Sequence, residues 1–383
     1  MPQNRLQVPP LSELRTHKSE KWREYPIEVL PLPVAEMDFP IADPIKSLLL
    51  EMVSRSDLGY LGPIPELPEA FAAFSQRHWG WSVDPHQVHI ATDVGVGAVE
   101  VLRLITNPGD KVLINSPIYH NFSNWIREVH LEKIDVPFTQ NGDEWILDFD
   151  AVENAYRNGV KVHMLCSPHN PLGRVYSRSE LLKFADLANK YSVVIISDEI
   201  HGPLTYSEST FVPFLSLGPI SEAVGIVITA ASKAWNIAGL KCALLVTQSD
   251  AMNRILMRLP IATHYRASLL GAFAAFAAFA EGDAWLEAVL VELDSNRKLL
   301  KKLLADQIPK VKYVLPKNSY LAWLDFSAIE VANPARVMLE RGKVAVVAGS
   351  GFSAATKDFV RLNFATSPEI LTEAVKRMAV ALS

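Results

Sequence analysis

From about residue 90 onward, short β-branched runs alternate with longer amphipathic segments, and this alternation constrains the fold more than any other feature. Parallel strands need a long crossover connection, which is usually a helix. The pattern therefore predicts a mainly parallel sheet covered by helices on both faces. The predicted strands are 111–115, 131–136, 162–166, 193–198, 225–229 and 242–247, and the predicted helices are 94–106, 123–129, 149–157 and 178–190.

Beyond residue 280 the pattern changes. It predicts a long helix, two strands and two further helices, at 283 to about 304, 320–325, 359–363, 334–341 and 367–382. A chain of 383 residues exceeds the size at which one hydrophobic core stops growing, so two domains are expected. We predict an N-terminal arm over residues 1–40 that forms part of the smaller domain, a large domain over 41–282 and a small α+β domain over 283–383.

The composition argues against several classes of protein. A net charge of −5 gives no reason to expect nucleic acid or an anionic membrane as a partner. The apolar stretch 267–280 is too short to span a bilayer, and the first residues show no secretory signal. Cys166 and Cys242 lie in strand-like runs, which favours free thiols in a reducing compartment. His86 and His89 have no partner ligands for a metal. We expect a cytoplasmic protein without a metal site.

Lys233 lies in the most informative segment of the sequence, residues 229–241. It follows an apolar strand, and ligands of open α/β sheets bind at the carboxyl ends of the strands. Burial and a nearby cation lower the pKa of a lysine amine, which makes it a nucleophile suited to Schiff-base chemistry. For a single lysine, a polar loop residue is the alternative interpretation.

Polar motifs follow two further predicted strands. Asp198-Glu199-Ile200-His201 comes after one apolar run, and the segment 167–173 (Ser-Pro-His-Asn-Pro-Leu-Gly) comes after another. Three polar strand ends favour one converging site over three unrelated loops. A buried carboxylate at Asp198 needs a partner, and a protonated pyridine nitrogen would be one.

In this order and spacing, the Ser-Lys, Asp-Glu-Ile-His and Asn-Pro-Leu-Gly motifs resemble those of fold-type I enzymes of the class I/II aminotransferase superfamily, which use pyridoxal 5′-phosphate (PLP). Within it, the chain is similar to the bacterial cystathionine β-lyase (C–S β-lyase) branch. The resemblance extends from residues 34–40 to residues 361–363. It implies an α/β fold like that of aspartate aminotransferase, with a mainly parallel seven-stranded sheet in a PLP-binding large domain and a smaller α+β domain.

The resemblance implies roles toward PLP for several residues. Lys233 would carry PLP as a Schiff base and move the proton of the substrate Cα. Asp198 would pair with the pyridine nitrogen, and Asn170 would bind the phenolic oxygen. Tyr119 would stack on the ring. His201 is typical of the lyase branch, and a structural histidine is the alternative interpretation.

The resemblance also implies a phosphate site and a substrate site. Tyr60 would reach the phosphate of the partner subunit, which implies a homodimer. Arg361 would hold the α-carboxylate of an amino-acid substrate. The phosphate ligands would be Gly95, Val96, Ser232 and Lys241.

The sequence departs from the family at the phosphate site. Asp93-Val94 stands where Pro-Gly is usual. Asp93 is expected to cap the helix that follows, and its carboxylate would repel a phosphate.

Three functions stay open. The segment 37–39 (Met-Asp-Phe), His201 and Lys241 favour β-elimination from L-cystathionine or a related L-cysteine thioether, with a thiol, pyruvate and ammonia as products. A class I/II aminotransferase would use the same residues and release a keto acid. A fold retained with an added regulatory binding role is the third, because some relatives of the lyase branch bind a transcription activator.

Overall fold

The computed structural model describes residues 6–383, so the first five residues, on which the expectation of no secretory signal rests, lie outside the described residues. The strands are β1 (Leu30–Pro31), β2 (Val88–Ala91), β3 (Lys111–Ile114), β4 (Glu132–Asp135), β5 (Phe138–Asn141), β6 (Glu144–Leu147), β7 (Val160–Cys166), β8 (Val194–Asp198), β9 (Gly225–Thr229), β10 (Ala243–Val246), β11 (Lys312–Tyr313), β12 (Leu321–Asp325), β13 (Val344–Ala345), β14 (Val347–Ala348) and β15 (Phe359–Asn363). The helices are α1 (Leu11–Leu14), α2 (Glu20–Arg23), α3 (Asp43–Ser54), α4 (Glu66–Trp79), α5 (Val94–Ile105), α6 (Asn121–Glu128), α7 (Phe149–Arg157), α8 (Arg178–Tyr191), α9 (Pro219–Glu222), α10 (Asp250–Leu256), α11 (Ile261–Tyr265), α12 (Leu269–Glu281), α13 (Asp283–Gln307), α14 (Pro334–Glu340) and α15 (Pro368–Leu382).

The main sheet has seven strands in the order β2-β10-β9-β8-β7-β3-β4. Strand β10 alone runs in the direction opposite to the other six strands, so the predicted mainly parallel seven-stranded sheet is confirmed. Successive residues of a strand point to opposite faces. Accordingly, Ile195 and Leu244 enter one buried apolar cluster, whereas Ile196 and Leu245 enter another. Both faces of the sheet are covered, as the alternation of segments predicts.

Helix α5 packs closely on this sheet because of one glycine. A Cβ on Gly97 would lie 2.9 Å from Leu245 Cδ2, so a larger residue would require this leucine side chain to shift. The N-terminus of α5 is fixed by Asp93, whose Oδ1 accepts a hydrogen bond from Val96 N. The predicted cap is therefore confirmed, and it sits at the edge of the sheet where the strands end.

A second, four-stranded sheet has the order β11-β12-β15-β14, and all of its pairs are antiparallel. In this sheet Trp323 lies directly opposite Arg361. The arm joins this part of the chain, since β1 pairs with β13. The predicted domain boundaries at residues 40 and 282 stay predictions.

Two outcomes differ from, or add to, the expectations. The β5–β6 hairpin was not predicted. The spacing of Arg297, Lys298, Lys301 and Lys302 predicts an ordinary solvated basic face on a helix. For Arg297 this prediction is wrong, because its side chain is buried and its Nη1 donates to Pro316 O at 2.7 Å. Both cysteines are buried free thiols, as expected. Within residues 6–383 no single helix is long and apolar enough to cross a bilayer; α12 and α13 meet that condition only together, across an 83° bend.

Candidate active site

The carboxyl ends of β7, β8 and β9 meet at one edge of the main sheet. Asp198, the last residue of β8, is paired with Cys166 on one side and with Ile228 on the other. The loop after β7 is tied to β8 because Ser167 N donates to Asp198 O at 2.9 Å. The three polar strand ends therefore lie side by side, as the sequence predicts.

Lys233 lies in the turn that follows β9, and its side chain is partly buried. Its Nζ donates to Ala35 O at 3.0 Å. Burial, followed by the charge on Arg361, lowers the pKa of Lys233 to about 8. A substantial fraction of this amine is therefore neutral near physiological pH, as a nucleophile requires.

Asp198 is buried, and its Oδ1 accepts a hydrogen bond from Ile200 N at 3.2 Å. Burial raises the pKa of Asp198 to about 7. The next residue, Glu199, is also buried and faces Ser197 and Phe214 instead. A cation placed beside Asp198 would stabilise its carboxylate, so this residue is suited to hold a protonated nitrogen.

Arg361 projects from β15, and its guanidinium is buried. Nη1 donates to Asn170 Oδ1 at 3.2 Å, Nη2 donates to Pro33 O at 3.0 Å, and Nε has no partner among residues 6–383. The guanidinium lies 5.1 Å from the centre of the Phe352 ring. Burial lowers the pKa of Arg361 to about 10. Within the described chain no carboxylate forms a salt bridge with this cation, so the site is prepared for an anionic ligand.

Tyr119 and His201 border the same cluster. Tyr119 N donates to Asn170 O at 3.2 Å, and burial raises the pKa of its hydroxyl. Burial, and then the charges of Lys233 and Arg361, lower the pKa of His201 to about 3, so its ring is neutral. Its Nδ1 is buried without a partner in residues 6–383. The structure therefore brings together Lys233, Asp198, Asn170, Tyr119, His201 and Arg361.

The predicted phosphate ligands lie at the start of α5 and on both sides of Lys233 in the chain. Gly95 and Val96 are in the first turn of α5, and Ser232 directly precedes Lys233. Lys241 Nζ donates to Asp93 Oδ2 at 3.0 Å, and this ion pair is largely exposed. The structure thus places Lys241 at the N-terminus of α5, in contact with the residue that departs from the family pattern.

The arm closes the site from the opposite side. Side chains bind every backbone carbonyl from residue 33 to residue 37, and they come from β15, from the residue before β12, from the turn after β9 and from α2. The hydrogen bonds run from Arg361 to Pro33 O, Asn363 to Val34 O and Glu36 O, Lys233 and Tyr320 to Ala35 O, Lys21 to Glu36 O, and Asn236 to Met37 O. The arm is therefore a fixed wall of the site.

The sequence predicts no individual role for three of these residues, although Tyr320 lies in the segment 318–323, which is expected to border the pocket. Asn236 lies three residues after Lys233 and binds both the N–H and the carbonyl of Met37, at 2.8 Å each. Tyr320 and Asn363 lie in or next to strands whose polar residues face the arm. A polar side chain inside an otherwise apolar strand was the available signal for Asn363. Within residues 6–383 no three metal-ligating side chains are grouped.

Tyr60 does not join the cluster within this chain. It is 89% exposed, and its neighbours Leu58 and Tyr265 are also exposed apolar residues. The three line one surface cavity of about 260 Å³. Met257 and Ile261 extend this apolar surface on a neighbouring cavity.

The chain is similar to known proteins over almost its whole length. The family model described as aminotransferase class I and II matches residues 29–378. A cystathionine β-lyase of Corynebacterium glutamicum is 34% identical, with 98% of this chain and 100% of the relative covered. The cystathionine β-lyase PatB of Bacillus subtilis is 30% identical over 93% of each chain. The crystal structure of cystalysin from Treponema denticola, which contains a pyridoxal 5′-phosphate cofactor, superposes with a TM-score of 0.92 at 26% identity, over 100% of this chain and 99% of that chain.

Proposed function

Because the chain belongs to the aminotransferase class I and II family, we propose that it is a PLP-dependent carbon–sulfur β-lyase. It cleaves L-cystathionine or a related L-cysteine thioether to a thiol, pyruvate and ammonia. Relatives named cystathionine β-lyase, 30–34% identical over nearly the full length, support this choice within the family.

One observation carries the proposal: a nucleophilic amine and a guanidinium without a carboxylate partner share one buried site. The Lys233 amine has a pKa of about 8, and the Arg361 guanidinium has a free Nε. A carboxylate is the natural partner of a guanidinium, which presents its N–H groups as a fork. An amino acid brings that carboxylate together with an amino group, so it matches the site at two points.

The residues of the site fit PLP. Lys233 would hold the aldehyde carbon and Asp198 the pyridine nitrogen, which would restore a low pKa to this carboxyl group. Asn170 and the unpartnered Nδ1 of His201 would face the polar edge of the ring, and Tyr119 one of its faces. The phosphate would lie near Gly95, Val96, Ser232 and Lys241.

When bound, PLP supplies a sink for the electrons left at Cα of an amino acid. Arg361 binds the α-carboxylate and orients the Cα–H bond toward Lys233. The amine of Lys233, held by Ala35 O at 3.0 Å, takes the proton from Cα. The bond between Cβ and sulfur then breaks with its electron pair on sulfur, and the thiolate takes up a proton in place of the one that Cα lost and leaves as the thiol. Water hydrolyses the three-carbon product that remains to pyruvate and ammonia.

The experiment that tests this proposal is product analysis of the purified protein with L-cystathionine. Pyruvate and a thiol formed in equal amounts, without any keto acid added, are expected. The family description favours one second candidate, an aminotransferase, which shares the residues of the site. A reaction that depends strictly on a keto-acid acceptor would support the aminotransferase and reject the lyase.

We also propose a homodimer in the cytoplasm. The exposed apolar side chains of Tyr60, Leu58 and Tyr265 support a contact with a second copy, which would bring Tyr60 to the partner's phosphate site. The buried free thiols of Cys166 and Cys242 support a reducing compartment. Light scattering at micromolar concentration tests the dimer, and Tyr60→Asp would shift it toward monomer.

A further inference from the structure

Asp93 lies at the end of the site where the phosphate is proposed to bind. Its carboxylate has two partners: Oδ1 accepts from Val96 N at 2.8 Å, and Oδ2 accepts from Lys241 Nζ at 3.0 Å. The carboxylate of Asp93 therefore accepts hydrogen bonds both from a backbone amide in the first turn of α5 and from the ammonium group of Lys241.

The same two donors are what a phosphate needs. The N-terminus of a helix carries partial positive charge and unpaired N–H groups, which bind a carboxylate or a phosphate alike. The carboxylate of Asp93 and a phosphate cannot both accept the same amide hydrogen. They also repel each other when both lie beside the same lysine. Asp93 and a phosphate thus compete for Val96 N and Lys241.

We propose that Asp93 is an internal counter-anion of the phosphate site, which keeps the α5 amide and Lys241 in place when no phosphate is bound and lowers the affinity of the site for PLP. This inference rests on the proposed function. The pair is accessible to solvent, with side-chain exposures of 36% for Asp93 and 54% for Lys241. Such a pair contributes little to stability, so Lys241 is free to turn toward a phosphate.

The test is Asp93→Asn, because asparagine is as good a helix cap as aspartate and keeps the acceptor for Val96 N while the charge is lost. We measure the dissociation constant of PLP from the apo-protein by visible absorbance, and that of inorganic phosphate by the shift in melting temperature. Both are expected to fall about tenfold in the variant. Pyridoxal, which lacks the phosphate, is the matched control and should bind both proteins equally.

Asp93→Ser is a second variant that keeps the cap and removes the charge. Equal or weaker binding of PLP and of inorganic phosphate in both variants would show that Asp93 is only a helix cap, and would overturn the inference. Tighter binding of pyridoxal as well would overturn it too, since the effect would then not concern the phosphate. If PLP fails to bond to Lys233 in all three proteins, the proposed function fails, and the measurement with inorganic phosphate still decides the role of Asp93.

Discussion

Lys21 and Asp38 form an ion pair of 2.8 Å in which both side chains are only 1% exposed. Trp22 Nε1 donates to the same carboxylate oxygen, and Lys21 also binds Glu36 O. Asp38 Oδ2 has no partner among residues 6–383. Within the arm, the pair fastens the segment 33–38 to α2, directly behind the wall of the site.

Removing one partner of this pair is expected to cost about 3–5 kcal/mol of the free energy of unfolding, because the other charge is left buried and uncompensated. We expect this for Lys21→Met and for Asp38→Leu, measured by urea denaturation. The double variant should cost less than either single change, since no charge remains inside. Single variants that are as stable as the wild type would contradict the expectation. Arg55→Met, which breaks an exposed pair with Glu51, is the control and should change stability by less than about 1 kcal/mol.

The amine of Lys233 should capture PLP at a rate that follows its neutral form. With a pKa of about 8, the rate should rise about tenfold per pH unit below pH 8 and level off above it. Stopped-flow absorbance of the apo-protein mixed with PLP measures this. A rate that keeps rising to pH 10 would mean that the amine is an ordinary lysine.

A matched variant identifies the cause of the lowered pKa of Lys233. Burial is the larger cause, and the charge on Arg361 is the next. In Arg361→Met the second cause is lost, so the midpoint of the pH profile should move upward while its shape is kept. Lys233→Ala should show no capture at any pH.

The main sheet could be predicted because its strands and helices differ in period and length. The predicted segments 149–157, 225–229 and 359–363 match the observed elements α7, β9 and β15. The β5–β6 hairpin could not be predicted, because three of the four residues of β5 are exposed and carry no clear apolar pattern. The edge strand β2 was also missed, although it is as long as β3 and β10 and three of its four residues are buried.

The site could be predicted where polar residues follow apolar strands, as at Asp198 and Lys233. The sequence also predicts that the arm before residue 40 borders the pocket. Its individual contacts could not be predicted, because they are made by backbone carbonyls, which have no signature in a sequence. Lys21 shows the same limit: a lysine in a short, charged segment is indistinguishable from a solvated one until its partner, 17 residues away, is known. The error at Arg297 is of the same kind, since its buried acceptor Pro316 O is a carbonyl.

Loss of the Arg361 guanidinium should weaken the binding of the substrate carboxylate. For Arg361→Met we expect kcat/KM with L-cystathionine to fall at least about 100-fold, because losing one partner of a buried charged pair costs about 2–5 kcal/mol. Arg361→Lys should recover part of the loss, mainly in KM. The control is an amine thioether without the α-carboxylate, which should react equally slowly with all three proteins. A Met variant that keeps the wild-type kcat/KM would exclude a role for Arg361 in substrate binding.

Glu199 should make the stability of the apo-protein depend on pH. Its Oε1 accepts hydrogen bonds from Ser197 Oγ at 2.9 Å and Phe214 N at 2.8 Å, and burial raises its pKa from 4.5 to about 8. Between these values the folded chain keeps a proton that the unfolded chain releases, so the free energy of unfolding falls as pH rises.

Glu199→Gln keeps both contacts and removes the titration. Its stability relative to the wild type should therefore increase from about pH 5 to pH 8, by at most about 1.4 kcal/mol for each pH unit, and stay constant above. Urea denaturation at three pH values measures this, with the exposed change Glu330→Gln as control; a difference independent of pH would mean that Glu199 is ionised in the folded protein throughout.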